Sequence, residues 1–473
     1  MKKKKTKKKK ERVQSKSIYK TPILSICDNI VFTNRAAWAY FKLADKPYHF
    51  LSAGAKLSLA NATCQALAAL SRNDDKKVEC HLLIVNTPFE PDDWAEQMKE
   101  QFNKMEQRQI QIQMDESRGL DVLQSRTPFD NFVEATRQDF KMEGFAKRTA
   151  YLGIKLFARG SFDFNISPFE LGIKQALSLY KKSLVQTFSL PDEIISASEE
   201  TRAREAEAGL YNILSLGALN ARRPTLNEIL LLIKRRYYPA MPVPYLDIDH
   251  QNRVGLSDIA LESGGEITVK ARGLEMTQLI DGDLYTGYRS TLTVSDLPKT
   301  LNIPLSIAPL FSRASIMPFT CSARFTLTPT EEMKKDRQKK KLEAEDELNN
   351  LATSGQGATE SLRNQMTDLE IMDQELTNRK EPWVTGTYNI TIEAINEEIA
   401  NKLISNIKQE YREDGINLTL TVGDQLDLFR QEQIGGEMIL KTFQHITNLP
   451  ILAATGMNHG GNVGDPVVQK RGR

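Results

Sequence analysis

No Gly-Lys dipeptide occurs anywhere in the 473 residues. A phosphate-binding loop of the form G-x-x-x-x-G-K-[ST] is therefore missing, and with it the backbone amides and the lysine that grip a nucleotide's phosphates. Cysteine is scarce: Cys27, Cys64, Cys80 and Cys321 stand far apart with no C-x-x-C pair. This argues against a disulfide framework or a structural zinc site and fits a reducing cytoplasm. Cys64 lies on the Leu57, Ala60, Leu67 stripe of an expected helix, as a small buried hydrophobe. The five histidines form no H-E-x-x-H, and no G-x-S-x-G serine is present, so zinc or serine hydrolysis has no support. Asp247, Asp249 and His250 cluster, as do Asp281 and Asp283, but further ligands at a recognisable spacing are lacking, and they read as solvated turns. Catalytic residues, metal ligands and a cofactor are accordingly expected to be absent.

Long apolar runs are missing too. No window approaches the ~20 apolar residues of a membrane-spanning helix. Ile229–Ile233 runs into Lys234, Arg235 and Arg236, and the stretch from Leu301 to Phe311 is broken by Pro304 and Pro309. No apolar core follows the first lysines, so they are not a secretory signal.

Charge is what the chain does have, unevenly placed. Eleven of the 63 Lys/Arg but one of the 61 Asp/Glu fall in residues 1–20, so that stretch carries +10 and the remainder −8. Like charges in a block repel and bury nothing, so residues 1–20 read as a disordered basic tail. Its Lys2, Lys3, Lys4, Lys5, Lys7, Lys8, Lys9, Lys10 and Arg12 are the candidate contacts to an anionic membrane surface or to nucleic acid. A run that only maintains solubility is the bland alternative.

Hydropathy patterning predicts an α+β fold. Ile30–Leu43 alternates as paired strands with Trp38 and Tyr40 on one face; Lys56–Leu70 reads as a helix and Leu82–Val85 as a buried strand. Pro91, Asp92 and Asp93 read as a helix start, and residues 97–148 as mostly helix-forming. Tyr151–Phe157 is a strand, Glu199–Leu216 a charged helix, and Thr225 with Glu228 a capping box before Ile229–Ile233. From Pro239 to Leu310 short β-patterned pieces dominate, including Ile267–Val269 and Leu292–Val294, with Ala323–Leu327 following. Thr328, Pro329 and Glu331 then signal a helix start. A Lys/Glu-rich helix to about Leu351, a Ser354–Gly357 break, and Leu362, Met366, Leu369 and Leu376 at helical steps make an antiparallel helical hairpin, either projecting or lying on the sheet. Val384–Ile395 (strand), a helix capped by Asn396 with Ile399, Leu403, Ile407 and Tyr411 on one face, a left-handed Gly415 and a strand at Leu418–Val422 close the fold.

The expected organisation is a tail (1–20), an α+β domain with a mixed sheet and flanking helices (21–328), the inserted helical hairpin (329–380), a strand-helix-strand unit of the same domain (381–450) and a terminal segment (451–473).

In this order several segments resemble the N-terminal portion of the conjugation ATPases of type IV secretion systems, the CagE/TrbE/VirB class, in its Gram-positive conjugative-element branch. They are Asp28–Phe32 with Trp38-Ala39-Tyr40, Tyr151–Leu156, the hairpin after Thr328, Gly423-Asp424-Gln425-Leu426-Asp427-Leu428-Phe429, and Ala453–Gly456 through Gly464-Asp465-Pro466. The candidate family positions are Gly423, Asp424, Gln425, Asp427, Gly464, Asp465 and Pro466. After Pro466 the family continues into a motor domain, whereas here Val467–Arg473 ends the sequence, which reads as a truncated lead-in.

The resemblance implies a scaffold that packs on a motor domain and docks onto small channel membrane proteins, peripheral at the cytoplasmic face of the cell membrane. ATP would enter only with a separate motor chain. A nucleic-acid-binding protein acting through the tail, or half of a split ATPase, are the competing expectations.

Overall fold

The computed structural model describes residues 23–460 except 48–50, 73–76, 89–94, 97, 101, 105–125, 144–145, 160–194, 244–252, 256–264, 281, 299–306, 308, 314–318, 354–358, 361, 364–365, 368, 371 and 374–380. The basic tail, the helix start at Pro91–Asp93, Asp247, Asp249, His250, Asp281, Leu376 and the Gly464–Pro466 segment lie outside the described residues.

The elements run β1 (Ile23–Cys27), β2 (Ile30–Thr33), β3 (Ala36–Lys42), β4 (Lys46–Pro47), α1 (Ala53–Arg72), β5 (Val78–Pro88), α2 (Arg126–Glu143), β6 (Ala146–Ala158), α3 (Ala197–Leu214) and α4 (Leu226–Arg235). There follow β7 (Arg253–Gly255), β8 (Glu266–Val269), β9 (Leu274–Ile280), β10 (Asp283–Asp296), α5 (Pro309–Ser312), β11 (Phe319–Thr328) and α6 (Thr330–Thr353). The last are β12 (Trp383–Ala394), α7 (Glu397–Glu413), β13 (Asn417–Leu420), α8 (Gln425–Glu432), β14 (His445–Asn448), α9 (Leu449–Ala454) and β15 (His459–Gly460).

The chain is thus an α+β protein built on one open sheet of 13 strands, ordered β7-β1-β2-β3-β6-β5-β11-β12-β10-β9-β8, with β13 added on β10 and β14 on β12. Its ladders are antiparallel, and the parallel pairing among the described residues is the short β4–β15 contact. Alternation along the strands decides the layers. Phe41, Leu82, Leu152, Phe325, Ile390 and Leu292 point to one face, where Leu67 of α1, Ile404 and Tyr411 of α7 and Leu452 of α9 complete a continuous core. Trp38, Tyr40, Leu83 and Tyr151 point to the other, against Ile229 and Ile233 of α4 and Phe429 of α8. Trp38 and Tyr40 share a face as the alternation predicts.

Local signals set most boundaries. Ser196 and Thr225 form reciprocal capping boxes with Glu199 and Glu228, opening α3 and α4. Asn396 accepts from the Ile399 N–H at 2.9 Å to open α7, and Gly415 follows its end at φ +76°. The buried stripe of α7 is Ala400, Ile404, Ile407 and Tyr411, rotated from the expected one; Ile399 is 36% exposed. The reason is Ala400, whose small side chain lets α7 sit close on Tyr288 and Ala394, so the helix turns its smallest residue inward. Thr328 is the buried last residue of β11, opposite Trp383, and the first α6 amides at Glu332 and Met333 donate to the Pro329 carbonyl. Beyond α6, helical residues recur between 360 and 373. Arg337 donates to the Leu369 carbonyl (3.2 Å) and pairs with Asp373, while Ala344, Leu362 and Leu369 bury each other. The outer part of the hairpin therefore carries its own small core, and its base is fixed to the body by Met333 on Trp383. Among the described residues no helix is long and apolar enough to cross a membrane.

Candidate functional site

Where the sheet passes from β5 to β11, β12 and β10, its second face changes from apolar to polar. Ser322 and Arg324 on β11, Thr387, Asn389 and Thr391 on β12, and Arg289 and Thr293 on β10 all point there, and all are buried. The strands alternate as if that face met water, yet α8 and the segment after it lie across it. The covering residues are themselves polar: Gln425, Gln431, Glu432 and Gln433 are buried. Burying such groups costs free energy unless they find partners, so the contacts define this region; the Thr293 hydroxyl, the Asn389 side-chain oxygen and the Gln433 side-chain amide have no hydrogen-bond partner among the described residues.

Glu432 is the centre. It receives Arg289 at 2.6 Å and the Thr391 hydroxyl at 3.0 Å, with Arg236 at 3.6 Å. Arg289 reaches Glu393 as well, at 2.9 Å. Arg324 lies over the Trp38 ring, 5.1 Å from its centroid, and donates to the carbonyls of Gln431 (2.9 Å) and Gln433 (2.7 Å). Gln431 donates to Thr387 at 3.1 Å, and its amide oxygen accepts from the N–H groups of Ile439 and Leu440. The Tyr40 hydroxyl accepts from the Gly435 N–H (2.9 Å) and shares a hydrogen bond with His81 Nδ1 (3.1 Å), whose Nε2 meets the Ser322 hydroxyl at 3.2 Å. Gly435 takes φ +70°, and a Cβ there would stand 2.4 Å from the Thr33 methyl, so no larger residue fits the turn.

Burial and the nearby Arg324 and Arg236 charges hold the His81 imidazole well below its ordinary pKa, so it is neutral at pH 7. Burial pushes Arg324 down to about 10 and raises the Tyr40 phenol. A buried Ser-His-Tyr chain suggests nucleophilic chemistry by residue type, but His81 and Ser322 are closed off from solvent beneath the strap. Their hydrogen bonds join neighbouring strands to the covering segment.

Gly423, Asp424, Gln425 and Asp427 occupy the start of the segment, from Gly423 through Gln433, that straps this face. Gly423, at φ +94°, makes the turn after β13, and its N–H donates to the Ala271 carbonyl at 3.1 Å. Asp424 precedes α8 without a side-chain cap bond. Gln425 is the anchor: its side-chain oxygen accepts from the Thr291 N–H (2.8 Å), and its amide donates to the carbonyls of Thr291 (3.0 Å) and Thr421 (2.9 Å), mimicking an extra strand residue beside β10. Asp427 faces solvent and pairs with Arg430 at 3.3 Å. Ala453, Ala454 and Gly456 form the end of α9 and the following turn; Arg148 of β6 holds that turn by donating to the carbonyls of Gly456 (3.0 Å) and Met457 (3.3 Å) and to that of His459.

Sequence reading missed the buried arginines Arg236, Arg289 and Arg324 and the acid Glu432. A signal existed in Phe429–Ile434, where two apolar residues bracket Arg430 to Gln433 too closely for a plain solvent-facing helix. All four cysteines are buried and none is in a disulfide, and among the described residues no group of three or more His, Cys, Asp or Glu could hold a metal ion. No protein-family model matches the chain, and no curated protein matches it significantly.

Proposed function

We propose that the chain is a non-catalytic scaffold and docking component of a conjugative DNA-transfer apparatus of the type IV secretion class. It works at the cytoplasmic face of the cell membrane and contacts channel membrane proteins and a separate ATPase chain. The observation that carries this reading is the use made of the motif from Gly423 to Asp427. Its turn glycine and its Gln425 amide are spent on fixing a strap to the sheet, a holding role, and the sequence offers no phosphate loop beside it. The ordered resemblance supplies the apparatus.

The basic tail supplies the membrane. Near an anionic leaflet each Lys or Arg contributes about 1 kcal/mol, so several engaged together retain a protein of this size. Flotation with phosphatidylglycerol vesicles tests it: the full chain is expected to float in low salt and the chain lacking residues 1–20 to stay behind. Equal flotation of both removes the tail from the account, and ATP turnover by the purified chain alone would overturn the non-catalytic reading. Steeply salt-dependent binding to duplex DNA, lost with the tail, would favour the nucleic-acid alternative instead.

A further inference from the structure

Helix α6 carries two blocks of opposite charge end to end. Residues 334–341 hold six Lys or Arg and one acid, and residues 343–347 hold four acids and no base. Between the blocks stands Leu342, 56% exposed. Met333, Arg337 and Ala344 fill the buried side of the helix. At three- and four-residue steps around Leu342, the opposite side presents Lys335, Gln338 and Lys339 before it and Glu345 and Asp346 after it. Lys335, Lys339, Glu345 and Asp346 make no ion pair among the described residues. An open cleft lined by Lys334, Arg337, Gln338, Lys341, Leu342 and Glu345 of α6 and by Asp373 borders this face on the hairpin side.

We propose that this face binds the same face of a second copy of the chain, antiparallel, with the two-fold axis at Leu342. The sequence pattern is self-complementary about that residue. Reversing one helix against the other sets Lys339 opposite Glu345 of the second copy, Gln338 opposite Asp346, and Leu342 against its own equivalent, and the symmetry makes every polar contact twice. The charge pattern selects this occupant over a polyanion. The centres of the two blocks lie about 11 Å apart along the helix, close to the ~8–10 Å Debye length, so phosphates seated on the lysines would feel the four carboxylates. An acidic protein would meet the same obstacle. A second copy satisfies both blocks at once.

Exposed ion pairs are individually weak, so the association is expected to be concentration-dependent and weakened by salt. Sedimentation of the full chain in low salt should show a monomer–dimer equilibrium. Reversing one block, as Lys335→Glu with Lys339→Glu, or the other, as Glu345→Lys with Asp346→Lys, should each weaken it at least tenfold. An equimolar mixture of the two variants should restore it, because each then presents a face of one sign to the other. Unchanged circular dichroism separates these effects from unfolding. Leu342→Cys should form an intermolecular disulfide on oxidation, the native cysteines being buried. A wild-type chain that stays monomeric at all concentrations in low salt overturns the proposal. So do variants that associate like wild type, a mixture that fails to recover, or an oligonucleotide that binds at Lys335 and Lys339 without any change in sedimentation.

Discussion

Across β11, β12 and β10 the two faces of the sheet are built from the same strands by opposite physics. On one face Phe325, Ile390 and Ile392 meet α1, α7 and α9 through apolar contact, which is insensitive to direction and tolerant of small changes. On the other, one residue away along β12, Thr391 hydrogen-bonds Glu432, and Glu432 holds two arginines. Contacts there are directional and mutually dependent, and removing one group leaves a charge stranded. The apolar face contributes the bulk of the stability; the polar face admits one placement of the strap and rejects others.

The sharpest way to break the comparison is a matched pair of substitutions. Glu432→Gln keeps the shape but removes the carboxylate facing Arg236 and leaves Arg289 with Glu393 alone, and should cost about 3–5 kcal/mol, the range for breaking a buried pair. Ile392→Val, on the neighbouring strand position of the other face, should cost only about 0.5–1.5 kcal/mol. Chemical denaturation of both variants checks this, and near-equal losses would mean that the faces do not differ as described.

Acidity should separate the faces next. The folded pKa of His81 lies below its unfolded value, so the unfolded chain binds the extra proton. Stability is then complete above the unfolded value of about 6.5 and falls by up to ~1.4 kcal/mol for each pH unit below it. In His81→Gln this share of the slope should vanish, as read from denaturation midpoints measured at pH values stepped down from above about 6.5. The smallest effect is expected at the solvent-facing end of the same strap: Asp427→Ala should change stability by no more than ~0.5 kcal/mol. A loss comparable to that of Glu432→Gln would show that the motif acts through its exposed side after all.

Much of the apolar face was legible in the sequence and little of the polar one. Leu82–Val85, Tyr151–Phe157 and Val384–Ile395 announce strands by pattern alone, and the capping box at Thr225 and the cap at Asn396 announce helices. The segment from Gly423 to Phe429 could be picked out, but its anchor Gln425 could not, because an amide that imitates backbone has no signature in a single chain. Arg324 stands between Ala323 and Phe325, and Arg289 beside Tyr288, just as solvent-facing strand residues alternate with apolar ones. Alternation reports two unlike faces and is silent on whether the polar one meets water or more protein. Ile399, offered to the core by spacing, lost its place to Ala400 because closeness of approach outweighed side-chain size.

The bond from Gly435 to Tyr40 joins residues 395 positions apart in the sequence. A ribosome adding about 5–20 residues per second exposes Tyr40 roughly 20–80 s before its donor exists. The arginine-bearing strands β10 and β11 emerge only in the later part of that interval, and from then until the strap is made water or a chaperone must stand in for the lid. Completion of this polar face is therefore timed by the strap, however early the first strands form.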